Sequence, residues 1–251
     1  RMIHFNNPHD HLFSKTFSDV NNVIDFLKVS LPKAILEEID LSTTKIISES
    51  YVTEELKDSR SDLIVQVELK DKTLSDFYFL FEHKSYLPTS NELFIQILKY
   101  MYLRWQKDLD EKLPLRAIFP IVFYHGSEQW NVSKQFNESF TVKSDLKEFL
   151  MNFSYRLFDL NNIDLDSLPE VKNNVFLITA LILMKEASRN NLSVVEKIIG
   201  LWKKLGVFKD FNSFSTLVVL SFSYMSATKK VDKREFIQLI NESFSEGDRT
   251  M

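Results

Sequence analysis

FYFLF, residues 77–81, sets five bulky apolar side chains in succession. Strand side chains alternate between faces, so a strand that is apolar at every position has to be covered on both. A sheet containing it is therefore layered between other elements. LPLRAIFPIVFYHG at 113–126 is a second such run and reads as another central strand, with Pro120 marking a bulge or an edge because proline donates nothing to a ladder. SDLIVQVELK at 61–70 reads as the strand before FYFLF, DKTLSD as the turn between them, and FYFLFEHKS as the returning strand of a hairpin. KIISESYV, with Ile46, Ile47, Tyr51 and Val52, reads as a first strand.

Helical periodicity surrounds these runs. NNPHDHLFSKTFSDVNNVIDFLKVSLP predicts one or two amphipathic helices ended by Pro32, with a short turn of helix at AILEEI. PTSNELFIQILKYMYLRWQKDL predicts a long helix from Asn91 to Asp108 with Ser90 as N-cap and an apolar stripe of Leu93, Ile97, Tyr100, Met101 and Trp105. SDLKEFL reads as helix and SYRLFDL as extended, completing an α/β unit near residue 160. Beyond SLPEV the texture changes: residues 169–188, 193–205, 212–228 and 232–244 each suit a helix, without strand-like alternation. The expected organisation is a sheet-containing core over residues 1–160 and a helical C-terminal region over 161–251, packed on the core or mediating self-association.

Composition removes several functions. The four glycines, Gly126, Gly200, Gly206 and Gly247, are too scattered for a phosphate-cradling loop of either the GxxxxGK[ST] or the GxGxxG kind. The absence of cysteine excludes thiol catalysis, disulfides and cysteine zinc sites, and fits a cytoplasmic protein. VFLITALILM at 175–184 is the longest strongly apolar run, ten residues against the roughly 20 needed to cross a bilayer, so a buried helix is expected and no membrane association. The opening RMIHFNNPHDHLF lacks the charged-then-apolar layout of an export signal. Net charge is −4, with 19 basic against 24 acidic residues up to 160 and 12 against 11 after it, so nucleic-acid contact requires a local patch.

The FYFLF strand ends on Glu82, His83 and Lys84. Asp62 opens the preceding strand, so a hairpin brings two carboxylates and a lysine together. Mg²⁺, and other divalent ions like it, prefers oxygen ligands and needs only one or two acids beside substrate phosphate. A lysine there orients or deprotonates water and neutralises charge developing on phosphorus, and the His83 carbonyl is a further candidate ligand. The other reading of the same residues is a solvated strand end with a surface ion pair. The helix that follows sets Gln96 and Tyr100 on one face.

Asp62, Glu82-His83-Lys84 and Gln96-Ile97-Leu98-Lys99-Tyr100 resemble the PD-(D/E)XK nuclease superfamily, including the QxxxY helix feature of its RecB-like branches. HDHLFSKTFSD, LP at 31–32, SYVTEELKDSRSDL, FEHKS, QILKYMYLRW and LPLRAIFPIVFYHG, in order across residues 8–130, resemble the Rpn family of recombination-promoting nucleases, also grouped as YhgA-like putative transposases. The resemblance implies a restriction-endonuclease-like mixed sheet flanked by helices, and metal-dependent DNA endonuclease activity tied to recombination, mobile elements or phage defence. Asp62 and Glu82 would be the metal carboxylates, Lys84 the third motif residue, and Gln96 a helper from the helix. Many family members carry Gln where this chain has Lys84; Lys is the commoner residue in the wider superfamily. A metal-dependent RNase, and a non-cleaving nucleic-acid- or protein-binding module on the same fold, are the alternatives.

Asp10 is a supporting candidate from the first helix, with an N-cap role as its alternative. His9 and His11 flank it but face different directions on a helix. The His83 side chain should point away from Lys84 and reads better as a satisfied core histidine, and His125 reads as a turn or supporting residue. Arg60, Lys99, Arg104, Lys107 and Arg116 are candidate DNA-backbone contacts, or exposed charges paired with Asp108, Asp110 and Glu111. Tyr100 and Trp105 lie on the apolar stripe, as core residues rather than base-stacking ones. The C-terminal helices are candidate homo-oligomer surfaces.

Overall fold

The FYFLF run forms the middle strand of a five-stranded mixed sheet in the computed structural model, which describes residues 8–47, 62–82, 87–165, 174–186, 193–228 and 232–244, Glu82 by its backbone. Helices α1 (Pro8–Phe17), α2 (Val20–Ser30) and α3 (Lys33–Leu36) come first. The strands β1 (Ile39–Ile47), β2 (Leu63–Leu69), β3 (Leu74–Glu82), β4 (Ala117–Tyr124) and β5 (Arg156–Asp159) then lie side by side in chain order. β1, β2 and β3 are antiparallel neighbours; β3, β4 and β5 are parallel ones. A parallel pair needs a crossover, and helix α4 (Ser90–Asp110) supplies it between β3 and β4. The chain is an α/β protein with a helical C-terminal region, as expected.

Both faces of β3 are buried, as its composition requires. Tyr78 and Leu80 join Leu93, Phe94, Ile97, Tyr100 and Met101 of α4 in one cluster. Phe77 stacks on Phe119 at 5.0 Å and Phe81 lies 5.3 Å from Phe123, both between β3 and β4. Fully burying one such ring contributes about 1.5–3 kcal/mol. Pro120 fits because β4 pairs with β5 only from Ile121 onward, leaving the proline at the margin of that ladder. At the end of β4, Gly126 is required by close approach: a Cβ there would lie 2.4 Å from the Tyr124 hydroxyl.

Several expected boundaries shift. β1 starts at Ile39 rather than Lys45, so the end of AILEEI is strand rather than helix. The N-cap of α4 is Thr89 rather than Ser90, because Thr89 and Glu92 form a reciprocal capping box. The hairpin turn is shorter than DKTLSD: Leu69 N–H donates to the Thr73 carbonyl at 2.8 Å, Lys72 takes a left-handed φ of 71°, and Leu74, Ser75 and Asp76 are already strand. Asp76 is thus carried into the interior, where it has no exposed surface. Arg104 of α4 donates to it at 2.8 Å and Arg116, just before β4, at 3.2 Å. Arg116 also donates to the buried Asp108 of α4, at 2.5 and 2.9 Å.

The chain divides into two compact units, Ser30–Asn162 around the sheet, and Arg1–Val29 with Ile163–Met251. The second unit groups α1 and α2 with the C-terminal helices α5 (Val175–Lys185), α6 (Ser193–Lys204), α7 (Phe211–Ala227) and α8 (Lys233–Ser243). Asn174 caps α5, which is buried from Leu177 to Met184 and receives a 3.0 Å hydrogen bond at Thr179 from the Trp202 indole. Among the described residues no helix is long and apolar enough to cross a membrane.

Removing one partner from a buried ion cluster strands the others without compensation. Arg104→Met should therefore destabilise the protein by about 3–5 kcal/mol in urea unfolding; a loss below about 1 kcal/mol, the scale of an exposed pair, would contradict the burial described.

Candidate active site

β2 and β3 run in opposite directions, so the start of one meets the end of the other. Leu63 pairs with Phe79 and Ile64 with Tyr78. Continuing that register by one step sets Asp62 opposite Leu80, two residues from Glu82. Diagonal neighbours of this kind lie about 7–8 Å apart, close enough for two acids to share an ion. Glu82 is also the last residue of β3 paired to β4, opposite Tyr124, so position 82 lies at the carboxyl ends of the parallel strands. Open α/β sheets place their ligand sites at that end.

The half-buried Asp62 is held from below. The Tyr78 hydroxyl donates to its Oδ2 at 2.6 Å. The Tyr78 ring stacks on Tyr100 of α4, with centroids 4.0 Å apart and planes 15° from parallel. The Tyr100 hydroxyl in turn donates to Asp76 Oδ2 at 3.1 Å, inside the arginine cluster. Burial, and then the negative charge of Asp76, raise the Tyr100 phenol well above its ordinary pKa, so it remains a neutral donor. Burial also pushes Asp108 up, but the hydrogen bonds and charge of Arg116 outweigh it and hold that carboxyl below its usual value. Tyr78, Asp76 and Asp108 lie in the contacts behind Asp62, and motif reasoning does not find them. Tyr78 hides among phenylalanines, and Asp76 was assigned to a turn. A signal existed for Arg104 and Asp108, which continue the α4 stripe of Ile97, Tyr100 and Met101 at helical spacing.

Gln96 is half-buried one turn before Tyr100. Lys99 is exposed on α4. Arg104 is not a DNA-backbone contact: it is 2% exposed and bound to Asp76, because the helix faces it into the core. Arg116 is withdrawn for the same reason, and Lys107 lies 3.9 Å from Glu111. Trp105 donates to the Arg116 carbonyl at 2.9 Å, in keeping with a packing role. His125 is buried with its ring stacked on Phe81 at 4.9 Å. Asp10 stands in the first turn of α1, in the helical unit, and His9 Nδ1 lies 2.7 Å from the Tyr224 hydroxyl. Arg60, His83 and Lys84 lie outside the described residues. Among the described residues no group of three or more His, Asp or Glu is gathered around one point. The strand ends offer one or two acids, and a magnesium site asks no more of a protein than that.

Residues 7–210 match the family model described as Putative transposase, YhgA-like. The chain is 25% identical over 201 residues to the recombination-promoting nuclease RpnD of Escherichia coli O157:H7, covering 77% of this chain and 74% of that protein. It is 34% identical over 125 residues to the recombination-promoting nuclease RpnA of Escherichia coli K12, covering 48% of this chain and 41% of the relative. A further similar protein, 26% identical over 122 residues and matched over 39% of its length, is the inactive recombination-promoting nuclease-like protein RpnE of the same strain. No solved structure matches.

The buried phenols under the sheet give the scaffold an alkaline limit. Unfolded tyrosines titrate near about pH 10, whereas burial pushes Tyr155 up to about 12. Stability is then fully present below the unfolded value and lost as pH rises through the folded one. Urea midpoints should hold steady from about pH 8 to 9.5 and fall above 10, with a shallower fall in Tyr155→Phe. A fall as steep in that variant as in the parent would contradict this assignment.

Proposed function

Because the chain belongs to the YhgA-like family of recombination-promoting nucleases, we propose that it is a metal-dependent DNA endonuclease of the PD-(D/E)XK kind, acting in the cytoplasm on recombining or mobile DNA. The observation that carries the reading is the β2–β3 register, which brings Asp62 and Glu82 to one end of the sheet. Asp62 and Glu82 would hold a single Mg²⁺, with the His83 carbonyl as a further ligand. The cation would supply Lewis acidity toward a phosphate oxygen and a more acidic attacking water. Lys84 orients that water, accepts or steers its proton, and neutralises charge growing on phosphorus. Gln96, from the next helix, fixes the lysine or the nucleophile. Lys99 is exposed on α4 and available to the DNA backbone, with Arg60 as its companion in sequence. The reading includes self-association through the C-terminal helices, supported by Phe211 and Val219, which α7 leaves exposed.

RpnE and a second relative, YjiP, carry names marking them as inactive, which favours a non-cleaving binding module as the competing reading. This chain retains Asp62, Glu82 and Lys84 together, and a module that only binds has no chemical need for all three. The module predicts binding that survives substitution of all three residues, without turnover. A ribonuclease would use the same groups, and parallel plasmid and RNA substrates separate the two.

Purified protein should nick plasmid DNA with Mg²⁺ and stop with EDTA. Glu82→Ala and Lys84→Ala should each lower the rate by about 100-fold or more, with far-ultraviolet circular dichroism unchanged. Nicking by Glu82→Ala at the parent rate would overturn the assignment.

A further inference from the structure

We infer that Tyr78 is a positioning residue for Asp62, its hydroxyl setting the carboxylate in one orientation so that the sheet offers a cation a preset ligand. The inference rests on the reading of Asp62 as a metal carboxylate and concerns how that carboxylate is held. In a strand that needs only apolar bulk at position 78, a phenylalanine would bury as well as Phe77 and Phe79 do. A hydroxyl taken 2% exposed into the interior is costly unless it is bonded, and its partner is Asp62 Oδ2 at 2.6 Å. The bond is therefore a specific feature of this sheet rather than a by-product of packing.

The chemistry of the donor matters as much as its place. An arginine or lysine in the same spot would bond the carboxylate and also cancel its charge, competing with the cation. A phenol is a neutral donor that occupies one lone pair and leaves the charge in place. Partners behind ligating carboxylates act in this way, restricting the ligand's rotation before the cation arrives.

The phenol is itself held in place by its neighbours. Its ring is stacked on Tyr100 at 4.0 Å, and Tyr100 is anchored to Asp76, which Arg104 and Arg116 hold from α4 and from the approach to β4. Asp62, half-buried at a strand end where the ladder stops, is thereby linked to the buried cluster around Asp76. A strand end without this tether would sample several carboxylate rotamers and lose entropy on capturing an ion.

Tyr78→Phe keeps the ring and its stack and deletes only the hydroxyl, so it separates orientation from packing. Mn²⁺ binding to the full chain, without nucleic acid, is measured by calorimetry for the parent, Tyr78→Phe and Asp62→Asn, with urea unfolding of each alongside. The expected result is Mn²⁺ affinity weakened about 10- to 100-fold in Tyr78→Phe and abolished in Asp62→Asn. The Mg²⁺ concentration for half-maximal nicking should rise by the same factor in Tyr78→Phe while the saturated rate stays near that of the parent. A purely structural hydroxyl would lower the unfolding midpoint and leave affinity untouched. Parent affinity in Tyr78→Phe with no binding in Asp62→Asn overturns the positioning role and leaves the metal reading standing. Parent affinity in both variants overturns the two together.

Discussion

Asp76 has no exposed surface, and two arginines from different elements close on its carboxylate. A single buried charge of this kind is several kcal/mol unfavourable unless it is paired and fully bonded, so the elements that carry its partners have little freedom to move. Arg104 fixes the roll of α4 and Arg116 fixes the entry to β4, while Asp108 balances the second guanidinium. Two acids and two arginines leave the cluster neutral. The β3–α4–β4 crossover is therefore locked by directional contacts as well as by its apolar packing. Asp108 stays ionised because Arg116 holds its carboxyl below the usual range despite burial. The contribution of Asp108 is thus complete at neutral pH and is lost as acid carries the pH below the ordinary carboxylate value and through the lowered one.

From that anchor the route to the strand ends is short. Tyr100 reaches Asp76 with its hydroxyl and Tyr78 with its ring, and Tyr78 reaches Asp62. Side chains of β3 on the α4 face thus connect the buried cluster at Asp76 to the strand end at Asp62. This connection explains why α4 carries an arginine and an aspartate within its apolar stripe. It also accounts for a tyrosine in the middle of a run that otherwise asks for phenylalanine.

Much of this was legible in the sequence where periodicity is strong. The hairpin, the long helix and the four C-terminal helices emerge from apolar spacing alone, because each buries a continuous face. The strand-end acids were legible as well, since a run as apolar as FYFLF has no packing reason to stop on charge. What escaped were the charges inside the core. Asp76 reads as a turn residue by propensity, and only tertiary pairing with Arg104 and Arg116 makes a buried aspartate tolerable there. Arg104 and Arg116 read as surface cations for the same reason: pairing across 28 and 40 residues leaves no local signature. Ser90 and Thr89 were separable only through the reciprocal bond with Glu92.

The chain belongs to a family of recombination-promoting nucleases, and the β2–β3 register brings its strand-end acids to a common location. The central claim is that Asp62 and Glu82 together form one divalent-cation site. Anomalous diffraction from crystals soaked in Mn²⁺ tests it most directly. The account predicts a single peak within about 2.5 Å of a carboxylate oxygen of each residue. Saturating Mn²⁺ that leaves this position empty, or that binds only at other residues, would contradict it.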